Sequence, residues 1–220
     1  MADTMRSIAI PLEGVISSRP DESDLVRELK AGSEEAFAYL LAVYRKPVYS
    51  LVYHMIGNES DAADILQNVF VKIIRSVRTF HEESSLKTWV FRIAVHETSN
   101  YRRSWFRRKR REVFSLDDDA KDPAAVRFDW SSGVKTPYEE LEQSERQELV
   151  KTALRGVAEP FRTVLLLREI EGFSYDEIAA VLRVAEGTVK SRLVRGREVL
   201  RQRVCSLLRE NGSQMAGQDV

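Results

Sequence analysis

The sequence predicts an all-α protein built from two small helical domains joined by an acidic, flexible linker. Three observations predict it. Apolar residues recur at three- and four-residue steps through both ends of the chain, and nowhere do they alternate as a half-buried strand requires. The periodicity fails between Glu112 and Pro137, where Asp117, Asp118 and Asp119, the Asp122-Pro123 pair and the run Ser131-Ser132-Gly133 stand instead. Charge is also segregated: seven bases and no acid lie between Tyr101 and Arg111, eleven acids against four bases between Glu112 and Glu148, and seven bases against two acids between Arg183 and Arg203. A formal net charge of zero over 220 residues therefore conceals two basic surfaces suited to phosphate.

Residues 1–20 show no periodicity and too little apolar surface to offset the entropy of ordering, so a disordered tail is expected. Helical spacing begins near Asp24 with Leu25 and Leu29 and continues through Phe37, Leu40, Leu41, Tyr44, Val48 and Leu51. Gly32 and Gly57 are expected to end helices. A third helix from about Ser60 to Val77 carries Ala62, Ile65, Leu66, Val69, Phe70, Ile73, Ile74 and Val77 on one stripe, with Asp61 and Asp64 at its positive N-terminal end. A fourth follows the Ser84-Ser85 pair and turns Trp89, Val90, Ile93 and Ala94 inward before it enters the arginine cluster. Residues 21–111 form the first domain on this reading, 112–137 the linker, 138–210 the second domain and 211–220 a C-terminal tail. Within the second domain Leu141, Leu149, Val150 and Leu154 share a helix, and Pro160 occupies a tolerated first-turn position before a helix from Phe161 to Ile170.

The most informative stretch begins at Ser174-Tyr175-Asp176-Glu177, a capping box that starts a helix sharply. That helix buries Ile178, Ala179 and Leu182, lasts about two turns, and is followed four residues later by a second helix near Gly187-Thr188, which is helix-turn-helix spacing. Arg183 occupies the tight turn where glycine is common, so a left-handed backbone is expected there. On the second helix Val189, Leu193, Gly196 and Leu200 form the inward face. Thr188, Lys190, Ser191, Val194 and Arg195 are left to meet DNA, with cations for guanine edges or phosphates, hydroxyls for either, and valine for a thymine methyl. A merely solvated basic face is the plainer reading of the same residues.

From Pro160-Phe161-Arg162 to Leu200 the chain resembles sigma domain 4, through Leu-Arg-Glu-Ile-Glu-Gly-Phe-Ser-Tyr-Asp-Glu-Ile-Ala and Gly-Thr-Val-Lys-Ser-Arg-Leu. The first domain resembles sigma domain 2: Asp61-Ala-Ala-Asp-Ile-Leu-Gln-Asn-Val-Phe-Val-Lys is similar to the polymerase-binding helix, and Leu86-Lys-Thr-Trp-Val-Phe-Arg-Ile-Ala-Val to the promoter-melting segment. Residues 21 to 208 leave no room for the extra domains of housekeeping sigma factors, so the resemblance is to the extracytoplasmic-function (ECF) group of the sigma-70 family. It implies a subunit that binds core RNA polymerase, through the clamp helices of the largest subunit and the flap of the second-largest, and that directs initiation at chosen promoters. It also implies promoter DNA as a partner, an anti-sigma factor as an inhibitor, and a role in a stress or envelope response.

By that resemblance Asp64, Gln67, Asn68, Val71 and Arg75 dock on the polymerase, with Asn68 standing where the family usually has Glu. Melting needs stacking surfaces and backbone charge, which Trp89, Arg92, His96, Asn100 and Arg103 supply at the −10 element; His96 stands where the family often has Asn. Trp89 and Phe80 read more readily as core than as DNA contacts. The helix-turn-helix face is matched to the −35 element. Asp117 to Asp119 either imitate nucleic-acid charge inside the polymerase channel or belong to a solvated tether.

Other classes fit less well. A free-standing repressor or activator would use the same helix-turn-helix but would bind a duplex tightly without polymerase. A nuclease using Asp117 to Asp119 with magnesium lacks the fixed supporting groups that metal catalysis needs, so the chain is expected not to be an enzyme. Cys205 is alone, and His54, His81 and His96 lack zinc-site spacing, so neither metal nor cofactor is expected. No apolar run is long enough to span a bilayer, and Met1 to Ser18 lacks a basic start followed by an apolar stretch; a cytoplasmic protein without direct membrane insertion is expected.

Overall fold

The computed structural model describes residues 21–112 and 137–216, with side chains for 21–108 and 146–210. The expected tail at 1–20, the linker residues 113–136 with Asp117, Asp118 and Asp119, and residues 217–220 lie outside the described residues. Among the described residues all regular structure is helical: α1 (Glu22–Ala31), α2 (Glu34–Ile56), α3 (Glu59–Ser76) with a 3₁₀ turn at Val77–Thr79, α4 (Leu86–Glu112), α5 (Pro137–Arg155), α6 (Glu159–Leu165) with a π-helical turn at Leu166–Ile170, α7 (Tyr175–Leu182) and α8 (Glu186–Ala216).

Local chemistry sets the boundaries of the first unit. Gly32 (φ 87°) and Gly57 (φ 82°) close α1 and α2 in the left-handed region, where a Cβ is costly. Ser33 and Asn58 open α2 and α3 by accepting from the backbone N–H of Ala36 and Asp61. The second unit departs from expectation twice. The helix expected over Phe161 to Ile170 is α-helical only to Leu165; the chain then widens by one residue, so that Glu171 N–H reaches Leu166 O at 3.1 Å. At the far end α8 continues to Ala216, past residue 210 where a tail was expected.

Leu29, Leu40, Val48, Leu51, Val52, Ile65, Val69, Ile73, Val90 and Ala94 fill the space between α1, α2, α3 and α4. Val164 to Leu167, Ile178, Val181, Val189 and Leu193 do the same for α6, α7 and α8. Several expected inward residues lie elsewhere. Ile74 is 51% exposed because α3 covers a narrower core than its apolar stripe, Val150 is exposed on α5, Ala179 and Leu182 are only half-buried while Val181 takes the interior position in α7, and Leu200 is half-buried on α8.

The two units share one continuous apolar core, which the periodicity of the sequence does not foretell. Phe91 of α4 meets Phe173 edge-on at 4.9 Å between ring centres, and both side chains are almost wholly buried. Burying such a ring contributes about 2 to 3 kcal/mol, and the edge contact roughly 1 more. Around it Lys87 Nζ donates to Glu171 O at 2.8 Å and lies 4.2 Å from the centre of the Phe173 ring. Arg92 Nε donates to Ala180 O at 3.1 Å. Arg162 of α6 donates to the His54 and Met55 carbonyls at the end of α2. Arg102 Nη1 lies 2.8 Å from Glu159 Oε2, a half-buried ion pair without hydrogen-bond alignment.

Candidate nucleic-acid interface

The helix-turn-helix is built as its residues prescribe. Glu177 N–H donates to Ser174 Oγ at 3.3 Å and Ser174 N–H donates to Glu177 Oε2 at 2.8 Å, a closed capping box that starts α7. Arg183 ends α7 in the left-handed conformation (φ 54°, ψ 49°), and Val184 N–H donates to Ala179 O at 3.1 Å. That backbone costs a non-glycine residue about 1 to 2 kcal/mol, which the packing of α7 and α8 must offset. Val189, Leu193 and Gly196 then face inward. A Cβ at 196 would stand 3.2 Å from the Leu165 side chain and 3.3 Å from Phe161 Cβ, so α8 packs closely on α6 and an alanine there would require these neighbours to shift by a few tenths of an ångström.

Fixing that face turns Lys190, Ser191, Val194 and Arg195 outward; all four are exposed, Val194 to 68%, and Thr188 is half-buried beside them. Their states differ. Lys190 Nζ sits 2.7 Å from Glu186 Oε1 and 5.9 Å from the centre of the Tyr175 ring, and the Glu186 hydrogen bond and charge hold its ammonium above the usual lysine range. Ser191 Oγ donates to Thr188 O at 3.0 Å. Arg195 forms no ion pair among the described residues. Arg192, absent from the predicted DNA-reading set, lines a cleft between α4 and the α7–α8 turn.

The expected melting residues share α4 but not one environment. Trp89 leans on buried Phe80 at 4.9 Å and is half-buried against the core, in keeping with the core reading of that pair. Arg92 faces the second unit, where burial and then the Arg183 charge lower its pKa. His96 keeps 58% of its side chain in solvent. It begins a polar chain along the helix: His96 Nδ1 is 3.1 Å from Asn100 Nδ2, and Arg103 Nη2 donates to Asn100 Oδ1 at 2.5 Å. Glu97, whose Oε1 lies 3.3 Å from His96 Nδ1, also pairs with Lys72 at 3.4 Å. The cleft in front of Trp89, Arg92 and His96 has a volume of about 620 Å³, and its far wall is Leu182, Arg183 and Arg192.

On α3, Asp64, Gln67, Asn68, Val71 and Arg75 are all exposed on one strip. Ile74, expected inside, instead joins Val71 to give that strip an apolar edge. Among the described residues no helix is long and apolar enough to cross a membrane, and no group of three or more His, Cys, Asp or Glu is placed to hold a metal ion.

Known proteins share this arrangement. Residues 40–111 match the family described as Sigma-70 region 2, and residues 147–200 match Sigma-70, region 4. The ECF RNA polymerase sigma-E factor of Haemophilus influenzae is 32% identical over 184 residues, 84% of this chain and 95% of that protein. The RNA polymerase sigma-H factor of Pseudomonas aeruginosa is 30% identical over 194 residues, 88% of this chain and 98% of its own length. In shape the chain is similar to CnrH, solved in complex with the cytosolic domain of CnrY, with a TM-score of 0.59 at 21% identity over 84% of this chain and 97% of that one. It is similar also to the sigma factor RpoE of Bartonella quintana, co-crystallised with the anti-sigma factor NepR, with a TM-score of 0.59 at 24% identity over 76% and 96% of the two chains.

Proposed function

The chain belongs to the ECF group of the sigma-70 family and is an RNA polymerase sigma factor, and from that premise we propose which of its residues select and open the promoter. Residues 138–210 read the −35 element in duplex form through Thr188, Lys190, Ser191, Val194 and Arg195. Residues 21–111 engage the −10 element through Trp89, Arg92, His96, Asn100 and Arg103, and hold the clamp helices of the largest polymerase subunit through Asp64, Gln67, Asn68, Val71 and Arg75. Ile74 belongs with that last set. The flap of the second-largest subunit holds the second domain, and residues 112–137 span the distance between the two domains. Bond-making chemistry is the polymerase's; this chain contributes selection, in the cytoplasm, and answers a stress or envelope signal. An anti-sigma factor restrains it, as NepR accompanies the Bartonella protein in its crystal.

The observation that carries the reading is the helix-turn-helix: a capped two-turn helix, a left-handed turn and a second helix whose apolar face is buried and whose cationic face is exposed. A duplex groove accepts that face, and its side chains can distinguish base pairs there. The test is run-off transcription by core polymerase with the purified chain and with Lys190→Ala/Arg195→Ala. The double variant is expected to bind core as before and to lose −35-dependent transcript. Loss of core binding instead would show that the face has been assigned to the wrong partner.

A further inference from the structure

We infer that the cleft between α4 and the ends of α2, α5 and α6 is a binding site for a purine nucleoside triphosphate, separate from the three surfaces assigned above. The side chains that build it serve none of the roles proposed for this chain.

The cleft has a volume of about 520 Å³, within the roughly 300 to 1,000 Å³ usual for small-molecule sites. Its wall is formed by the junction of α2 and α3, by the stretch of α4 from Tyr101 to Phe106, and by Arg155 and Arg162 of the second unit. Two features of it point to a ligand.

The first is cationic crowding. Among the described residues, Arg102, Arg155 and Arg162 line the cleft against a single carboxylate, Asp61. Arg162 donates to the carbonyls of Val157, His54 and Met55 at 3.2 to 3.4 Å, and Arg155 to the Tyr53 hydroxyl at 3.4 Å, long bonds to neutral acceptors. Burial, and then the charge of Arg102, hold the Arg162 guanidinium below the usual arginine range. Arg102 Nη1 is sealed from solvent without a hydrogen bond, although Glu159 Oε2 stands 2.8 Å away. Guanidiniums gathered in this way suit a multiply charged anion, and phosphate oxygens accept from them in pairs.

The second feature is aromatic. Trp105 and Phe106 stand edge to face with 5.1 Å between ring centres, yet they are 38% and 53% exposed. The Arg102 guanidinium lies 5.8 Å from the centre of the Phe106 ring, so platform and clamp adjoin. A base stacks on such a face while its phosphates meet the arginines. Asp61 adds selection. Burial, and then the hydrogen bond to Asp61, push the Tyr101 phenol up to about 12, so Tyr101 stays a donor to that carboxylate. The remaining lone pairs of Asp61 can accept from the amino group of adenine or guanine, which uracil lacks. The wall draws on five helices of both units, which suits a single nucleotide better than a continuous strand running along α4.

Isothermal titration calorimetry of the full chain with ATP and with GTP tests this. One molecule should bind per chain. Adenosine, which lacks the phosphates, tripolyphosphate, which lacks the base, and UTP, which lacks the amino group, should each bind at least tenfold more weakly. Trp105→Ala should weaken ATP binding about tenfold, as loss of one stacking surface would, and Arg102→Gln should weaken it tenfold or more. Circular dichroism checks both variants; if Arg102→Gln loses helicity, the surface variant Trp105→Ala and the ligand series decide. Absence of heat from either triphosphate at millimolar concentration would overturn the site. So would tripolyphosphate or UTP binding as tightly as ATP, or full ATP affinity in Trp105→Ala. A single-stranded deoxyoligonucleotide that displaces ATP and binds more tightly would give the cleft to the promoter strand and overturn it as well.

Discussion

Lys190 and Arg195 sit on the same outward face of α8 but are not equivalent. Glu186 already holds the Lys190 ammonium at 2.7 Å, so DNA must displace a carboxylate to use it, whereas Arg195 is committed to no acid among the described residues. Arg195→Ala should therefore weaken binding of the −35 duplex by about 1 to 3 kcal/mol, the worth of one bidentate base contact. Lys190→Ala should weaken it by distinctly less. Fluorescence anisotropy of a labelled duplex with the assembled holoenzyme separates the two, and equal losses would show that the Glu186 pair is irrelevant. At this scale the sequence is highly legible: burying Val189, Leu193 and Gly196 leaves only one face for the cations, and the structure keeps that division. Arg183 in its left-handed turn is legible too, since it stands in the tight turn of the helix-turn-helix spacing, where glycine is common. Arg92 is not, because its partner is a carbonyl of the other domain, and a carbonyl leaves no mark on composition.

Elements depend on their ends. α7 is only two turns long and too short to persist alone, so its capping box and its packing hold it. Ser174→Ala should lower the stability of the protein by about 1 kcal/mol, within the roughly 0.5 to 2 kcal/mol typical of lost caps, with the denaturant slope unchanged in urea unfolding. α3 gives a second expectation. Val71 and Ile74 form the apolar edge of the polymerase strip, so Ile74→Asp should reduce co-elution with core polymerase by tenfold or more, about 1.4 kcal/mol, with little change in helicity. Full core binding by that variant would remove Ile74 from the interface. Periodicity places nearly every helix because long amphipathic patterns are strong signals, yet it puts Ile74 inside, since a stripe does not reveal how wide its covering surface is. The π turn at Leu166–Ile170 is equally hidden: the apolar run from Val164 to Leu167 cannot separate one extra residue in a helix from an ordinary last turn.

For the whole molecule, two sets of helices are readable in the sequence, but the docking of one set on the other is not. Nothing in the spacing of Phe91 or Phe173 tells one apolar partner from another. Docking also brings a carboxyl to the seam. Burial beside Lys87 pushes Glu171 up to about 7, with the Lys87 charge pulling the other way. In the opened chain the carboxyl returns toward its ordinary value of 4.5, so closure binds a proton. The closed form should therefore be firmest below about 4.5 and loosen progressively as pH rises through about 7. Energy transfer between dyes on the exposed Cys205 of α8 and on Arg45→Cys of α2 should record that decline, and Glu171→Gln should flatten it. The account stands or falls on whether this chain decides where polymerase begins. Mapping the 5′ ends of transcripts made from genomic DNA by core polymerase, with and without the chain, is the direct measurement. The account predicts a restricted set of start sites that exists only in its presence and disappears with Lys190→Ala/Arg195→Ala; identical start sites with and without the chain would contradict it.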